Sequence, residues 1–296
     1  MPMPRRAAGR SDKRSTPKPT TWRAPVDFPP APEPLTPPHG FEARAADLGI
    51  RFEPGELERL GRYLALLLAS NKVVNLTAIR DPAEAWERHI LGSLSILPVA
   101  SEAKPADEDR PLRIIDVGTG GGLPGIPLAI ALASAHVTLL ESTAKKCRFL
   151  EHTLRELELT HVAVVNDRAE TAGQRRGGRR DEAGASSREG ALRDAFDLVV
   201  ARAVGRLPTL LELTVPFARE GGLCALVKGD QAEAELAEAK QTLHLLHAAH
   251  AGTIETPTGR IVVVEKRRPT PKAYPRTSGE PKKHPLGVSV RNQGAP

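Results

Sequence analysis

Ile114-Ile115-Asp116-Val117-Gly118-Thr119-Gly120-Gly121-Gly122-Leu123-Pro124-Gly125 is the stretch on which the reading of this chain turns. An apolar strand ends in an acid and runs into a glycine-rich turn before a helix. Glycine there permits positive φ and close backbone approach to a ligand. Two ligand classes use such a turn. A dinucleotide site requires G-x-G-x-x-G with the helix N-terminus facing a pyrophosphate. Gly118 and Gly120 satisfy that pattern, but the third position is Leu123. Asp116 lies two residues before the first glycine, where a carboxylate would repel a pyrophosphate and would help hold a cationic or amino-bearing ligand. The pattern therefore favours S-adenosylmethionine, which carries a sulfonium and an α-amino group.

Outward from this turn, the next β-rich run is His136 to Glu141. Its last residue, Glu141, stands 23 positions after Gly118, where an acid accepts hydrogen bonds from both ribose hydroxyls. After the following run, Val162 to Asn166, the residues through Glu170 can reach an adenine. Further strands are expected at Phe196 to Ala201, Gly222 to Val227, Gly252 to Thr256 and Gly259 to Lys266, with a long helix from Asp230 to about Ala248 capped by Asp230. Pro257-Thr258 is too short for a crossover helix, so the last two strands should pair antiparallel. The expected fold class is α/β: a doubly wound, mostly parallel sheet with an antiparallel edge strand.

Upstream, Leu57, Leu60, Leu64 and Leu67 follow one helical face after Pro54. Asp81-Pro82-Ala83-Glu84 then supplies a cap, a proline at the first helical position and a carboxylate three residues on. Residues 41–105 read as a helical layer and 106–266 as the sheet domain. Eleven of the first forty residues are Pro, so 1–40 reads as a disordered extension. Gly173 to Arg193, with six arginines and almost no large apolar group, reads as a flexible insertion, and 267–296 as a disordered basic tail.

Composition narrows the classes further. The chain has 296 residues, 40% of them hydrophobic, with only 6 Phe, 2 Trp and 2 Tyr, so aliphatic side chains must fill the core and an aromatic-rich binding module is excluded. Two cysteines, Cys147 and Cys224, cannot make a disulfide framework, a four-cysteine zinc site or a CxxC pair; no metal site is expected, and a reducing cytoplasm fits. The apolar run Ile126 to Ala135 is about half of the roughly 18 residues that span a bilayer, and the basic N-terminus lacks the apolar core of a secretory signal. Of the net +6, residues 1–40 hold +4 and residues 266–296 hold +7, leaving the body at −5. Phosphate would be bound through local patches.

Several stretches together resemble one family, the bacterial small-subunit rRNA guanine-N7 methyltransferases, also called glucose-inhibited division protein B. They are Asn75 to Pro82, Arg88-His89-Ile90-Leu91, Asp116 to Gly120 with Leu123-Pro124-Gly125-Ile126-Pro127-Leu128, Lys145 to Leu150, and Ala201-Arg202-Ala203. The resemblance covers about residues 41–266. It implies an S-adenosylmethionine-dependent enzyme acting on 16S rRNA or the small ribosomal subunit, with Gly118, Leu123, Ala169, Glu170 and Arg202 lining the cofactor site. The chain departs from the family after Leu91, where Gly92 replaces an acid, and in its Arg-rich insertion and basic ends.

Exclusion supports the same substrate class. Exocyclic-amine methylation commonly uses an Asn/Asp-Pro-Pro-aromatic segment after the fourth strand, but Val200-Ala201-Arg202-Ala203 stands there. Pyrimidine-carbon methylation needs an activated Cys, whereas Cys224 lies in an apolar strand and Cys147 on a helix with Leu150 and Leu154. Guanine N7 has a free lone pair and no proton to lose, so positioning suffices, and proximity contributes roughly 7 to 11 kcal/mol. Arg is suited to hold both phosphate and the guanine acceptor edge. Arg202 is therefore the candidate catalytic residue; Asp116, Gly118, Gly120, Leu123, Glu141, Ala169, Glu170 and Arg202 are the cofactor candidates; and Lys145, Lys146, Arg148, Lys228 and Arg260 are the RNA-binding candidates. Asn75 and His89 could cap a helix or fill a polar gap beside the pocket. The expected state is a cytoplasmic monomer. The alternatives are a nicotinamide-dependent oxidoreductase and a non-catalytic RNA-binding or ribosome-assembly protein on the same fold.

Overall fold

Successive side chains of a strand point to opposite faces of its sheet. In strand β1 (Arg113–Val117), Ile114 enters one apolar core while Ile115 and Val117 enter another. The computed structural model describes residues 27–30, 32–107, 109–174, 192–202 and 205–288. With β2 (His136–Glu141), β3 (Val162–Asn166), β4 (Phe196–Arg202), β5 (Ala218–Lys228), β6 (Ala248–Thr256) and β7 (Gly259–Lys266), β1 builds a seven-stranded sheet in the order β3-β2-β1-β4-β5-β7-β6. Strands β1 to β5 pair in parallel, and β7 runs antiparallel to both of its neighbours. This is the doubly wound arrangement with an antiparallel edge that the apolar runs predict.

One face is covered by α1 (Phe41–Asp47), α2 (Glu56–Ser70), α3 (Pro82–Ala85) with the π-helical turn Trp86–Leu91, α4 (Gly92–Leu94), α5 (Leu97–Glu102), α6 (Gly125–Ala131) and α7 (Ala144–Glu156). The other is covered by α8 (Ala169–Gln174), α9 (Leu207–Thr214), α10 (Ala232–Glu238) and α11 (Lys240–Leu246), with α12 (Glu280–Lys283) lying outside α9. The α3 start follows its sequence signal, because the Asp81 carboxylate accepts from Glu84 N at 2.8 Å. Between β1 and β4 the strand order reverses, which opens a crevice at the carboxyl ends of these strands.

Four expectations need correction. The helix expected from Asp230 to Ala248 is two helices broken at Ala239; Gln231, not Asp230, precedes the first, and Ala248 already belongs to β6. Order begins before Phe41. Leu35 N donates to Gly61 O at 3.2 Å, Phe28 packs edge-on to Phe149 at 5.8 Å, and His152 meets Pro29 O, so residues 27–30 and 32–38 lie as a strap against α2 and α7; of the expected extension, 1–26 and 31 lie outside the described residues. In the insertion, Gly173 and Gln174 complete α8, and Arg193 is a buried anchor; 175–191 lie outside the described residues. The expected basic tail is packed through residue 288. Thr270, Pro281 and Leu286 are buried, and Arg276 pairs with the fully buried Glu212 at 2.6 Å. In each terminal segment a few apolar or paired side chains outweigh a Pro-rich or basic composition. Among the described residues no helix is long and apolar enough to cross a membrane.

Candidate active site

The glycine-rich turn closes over the β1 end because its backbone adopts a conformation other residues rarely reach. Gly118, Gly120 and Gly122 have φ of +72°, +61° and +97°. Gly118 N and Thr119 N both donate to Leu140 O, which ties the turn to β2. Asp116 is fully buried among the residues facing the N-terminal helical layer. Its Oδ2 accepts from Thr119 Oγ1 at 2.6 Å and from Gly125 N at 2.8 Å, while Oδ1 finds no partner among the described residues. Burial pushes the Asp116 carboxyl up to about 7 against the pull of these two hydrogen bonds. Gly125 is required by packing, since a Cβ there would stand 2.3 Å from Leu139 Cδ2 and 2.9 Å from Asp116 Oδ2.

Glu141, at the end of β2, is 6% exposed. Its Oε2 accepts from Gly120 N at 3.1 Å and its Oε1 from Thr143 N at 2.8 Å. Ser142 Oγ also donates to Oε1, at 3.5 Å, so of the two acceptor directions on each carboxylate oxygen the one left open for a ligand hydroxyl is on Oε2. Asn166 Nδ2 donates to Glu141 O at 2.9 Å and fixes the β3 end against it.

A cavity of about 580 Å³ opens at these strand ends, walled by Val117, Gly118, Leu140, Ser142, Asp167 and Ala169, with Glu170 beside them. Gly118, Ala169 and Glu170 are thus brought together at one cavity. Gly120 and Glu141 lie behind the wall through the Gly120–Glu141 hydrogen bond, whereas Asp116, Leu123 and Arg202 do not border this cavity.

Arg202, the last residue of β4, belongs to a second, buried polar group beneath the helical layer. Its Nη2 lies 3.4 Å from His89 Nδ1, and its Nη1 is buried without a partner among the described residues. His89 Nε2 is 2.8 Å from Thr77 Oγ1. Since Arg can only donate, His89 Nδ1 must accept, and Nε2 carries the proton given to Thr77. Burial and the adjacent Arg202 charge lower His89 to about 4, which keeps the ring neutral for this role. Thr77 is held in turn by Asn71, whose Oδ1 accepts from Leu76 N and Thr77 N. Tyr63 OH donates to Gly121 O at 2.8 Å and joins α2 to the glycine turn. Burial and the neighbouring Asp116 raise the Tyr63 hydroxyl well above its usual range, so it stays a donor.

Sequence reasoning passes over Tyr63 and Asn71. Tyr63 sits in the Leu60–Leu64 stripe and reads as core, while Asn71 follows the end of α2 and reads as a turn residue. Asn75 is exposed. Both cysteines are buried as expected, and burial pushes the Cys147 and Cys224 thiols up to about 11 and about 12.

The cationic candidates are dispersed. Lys145 Nζ donates to Val73 O, and Lys146 and Arg148 lie on the first turns of the same helix, α7. Lys228 is paired with Glu235 at 2.7 Å, and Arg260 with Glu255 at 3.1 Å.

A profile described as rRNA small subunit methyltransferase G matches residues 56–258. The ribosomal RNA small subunit methyltransferase G of Sorangium cellulosum (strain So ce56) is 47% identical over 257 residues, covering 87% of this chain and 99% of that protein. Its counterpart in Leuconostoc citreum (strain KM20) is 37% identical over 251 residues, covering 83% and 98%. An O-methyltransferase from Bacillus cereus, solved in complex with SAH, overlays with a TM-score of 0.47 at 18% identity, covering 76% of this chain and 96% of that one. The strand order, the glycine turn and the match across both the helical layer and the sheet agree: the chain belongs to the rRNA small subunit methyltransferase G family.

Proposed function

We propose that this chain transfers the methyl group of S-adenosylmethionine to N7 of a guanine in small-subunit rRNA, acting as a cytoplasmic monomer. The observation that carries the cofactor assignment is a pair of buried, unfilled valences of opposite sign. Asp116 Oδ1 and Arg202 Nη1 both lack partners among the described residues, and the Arg202 charge acts on Asp116. Such a pair fits a zwitterion, and the amino-acid end of S-adenosylmethionine is one, its ammonium toward Asp116 and its carboxylate toward Arg202. The open acceptor direction on Glu141 Oε2 suits a ribose hydroxyl, and the Leu140–Ala169 wall suits an adenine. A Gly118 without a side chain leaves the floor of the cavity open.

The bound cofactor supplies an electrophilic methyl carbon on a sulfonium. That carbon would be open to the lone pair of guanine N7, with the sulfonium as the leaving group and the positive charge ending on the purine. No proton leaves N7, so the chain's residues need only align the two reactants and disperse charge. His89 holds Arg202 in place through Nδ1, and Arg202 orients either the cofactor carboxylate or the acceptor edge of the guanine.

The rRNA substrate follows from the names of the relatives and the N7 atom from the resemblance of the motifs. Mass mapping of nucleosides from small-subunit rRNA, with and without the active gene, tests both. A 7-methylguanosine lost with the gene supports the reading, and an unchanged nucleoside inventory refutes it. Calorimetry with S-adenosylmethionine and NAD in parallel separates it from the oxidoreductase alternative.

A further inference from the structure

The far wall of the strand-end cavity is not made by the sheet domain. Gly279, Lys282 and Pro285 line it opposite Gly118, Leu140 and Ala169, and all three lie beyond the family match, which ends at residue 258. We propose that the C-terminal segment 270–286 is a wall of the cofactor site, so that its docking and S-adenosylmethionine binding depend on each other. This rests on the assignment of that cavity to the cofactor's nucleoside.

The segment is fastened by charge, hydrogen bonds and burial at several points. Arg276 Nε and Nη2 fork onto the Glu212 carboxylate at 2.9 and 2.6 Å, and Arg276 N donates to the same group at 2.8 Å. Glu212 belongs to α9, the helix that follows the β4 end, and two other α9 residues, Thr209 and Leu213, line the cavity. Thr209 Oγ1 donates to Pro281 O at 2.9 Å. From the α8 side, Gln174 Nε2 donates to Pro275 O at 2.7 Å, and the Arg193 guanidinium reaches the carbonyls of Thr270, Pro271 and Tyr274. The decisive contact is Gly279 N to Glu170 Oε1 at 2.9 Å, because Glu170 itself borders the cavity. Gly279 has a φ of +88°, which only glycine adopts readily, and it is this turn that carries Lys282 and Pro285 to the cavity.

A ligand that binds only the docked segment must favour docking by the same factor by which docking favours the ligand. Limited trypsin digestion of the full chain reads this directly, because Lys272, Arg276, Lys282 and Lys283 all lie in the segment. S-adenosylhomocysteine, whose affinity is first measured by calorimetry, is added at about 100 times its dissociation constant. Cleavage at these four residues should then slow by up to about 100-fold where it is limited by the undocked population. Cleavage after Arg51 and Arg59 in the helical layer, remote from the cavity, should slow by less than a tenth of that factor. Equal protection at both places would overturn the inference, since the ligand would then be stabilising only the whole fold.

A second variant avoids truncation, which would uncover Leu286. A Cβ at Gly279 meets no atom within 4 Å, but Gly279→Val strains the turn and should weaken S-adenosylhomocysteine about tenfold or more with far-ultraviolet circular dichroism unchanged. A folded Gly279→Val protein with parent affinity would also overturn it. If the intact chain binds no S-adenosylhomocysteine, the functional reading falls together with this one. Binding without selective protection removes this one alone.

Discussion

Asp116→Asn separates what the site costs the fold from what it contributes to the ligand. In the unfolded chain an aspartate titrates near 3.8, and in the native chain burial holds Asp116 near 7. A group with a raised native pKa lends stability that is fully present below the unfolded value and is lost as pH rises through the native one. Across that interval, at about 1.4 kcal/mol per pH unit, the native state loses about 4 kcal/mol, and about 3 kcal/mol of this falls between pH 5 and pH 8. Asparagine does not titrate. Its carbonyl can still accept from Thr119 Oγ1 and Gly125 N, while its amide occupies the place of the unpartnered Oδ1. Urea denaturation of both proteins should therefore show Asp116→Asn gaining about 3 kcal/mol on the parent between pH 5 and pH 8, whatever the offset at pH 5. The same variant should bind S-adenosylhomocysteine at least about tenfold more weakly, because the ammonium loses its charged acceptor. A stability gap that is the same at both pH values would refute the raised titration of the buried Asp116 carboxyl.

Four further outcomes follow from the site. Gly120→Val places a branched side chain at a φ of +61° beside the Glu141 contact, and calorimetry should find cofactor binding lost with the sheet's circular dichroism retained. Glu141→Ala removes the proposed ribose acceptor and should weaken S-adenosylmethionine by about 1 to 3 kcal/mol; an unchanged dissociation constant counts against the assignment. Arg202→Lys keeps the charge and loses the planar fork, so single-turnover methyl transfer with both substrates saturating should fall about tenfold, roughly 1.4 kcal/mol of barrier. His89→Asn cannot span Thr77 and Arg202 and should lower kcat with KM for the cofactor changed less than about twofold; parent turnover would leave His89 as packing alone.

The architecture was legible because the apolar runs obey the two periods of secondary structure. Strict in-out alternation is absent from β4: Leu198, Val199, Val200 and Ala201 are all buried, as a strand covered on both faces demands, and the run is readable as such without a structure. The N-terminal and C-terminal segments were not readable, because composition averages over residues that play opposite parts. Arg276 counts as one more positive charge in a basic stretch, yet its partner Glu212 is 64 positions away inside a helix whose other residues are mostly apolar. Only the three-dimensional meeting of that pair distinguishes a packed strap from a free arm.

The site divides along the same line. Gly118, Gly120, Glu141 and Ala169 were legible because local chain geometry forces them to one sheet edge: each follows directly from where a strand ends. The support of Arg202 was not, because it arises across the sheet face from a different layer. Thr77 lies in the turn after α2 and His89 in the π-helical turn, and both reach the β4 end only when the helical layer is docked. A neutral histidine between a hydroxyl and a guanidinium is the arrangement that survives here: burial first, and the Arg202 charge beside it second, lower His89 to about 4. The helical layer thus does more than cover apolar strands. Through Tyr63 on the glycine turn and His89 on Arg202 it braces both the turn after β1 and the end of β4, so a loosened layer should damage cofactor binding before it unfolds the sheet.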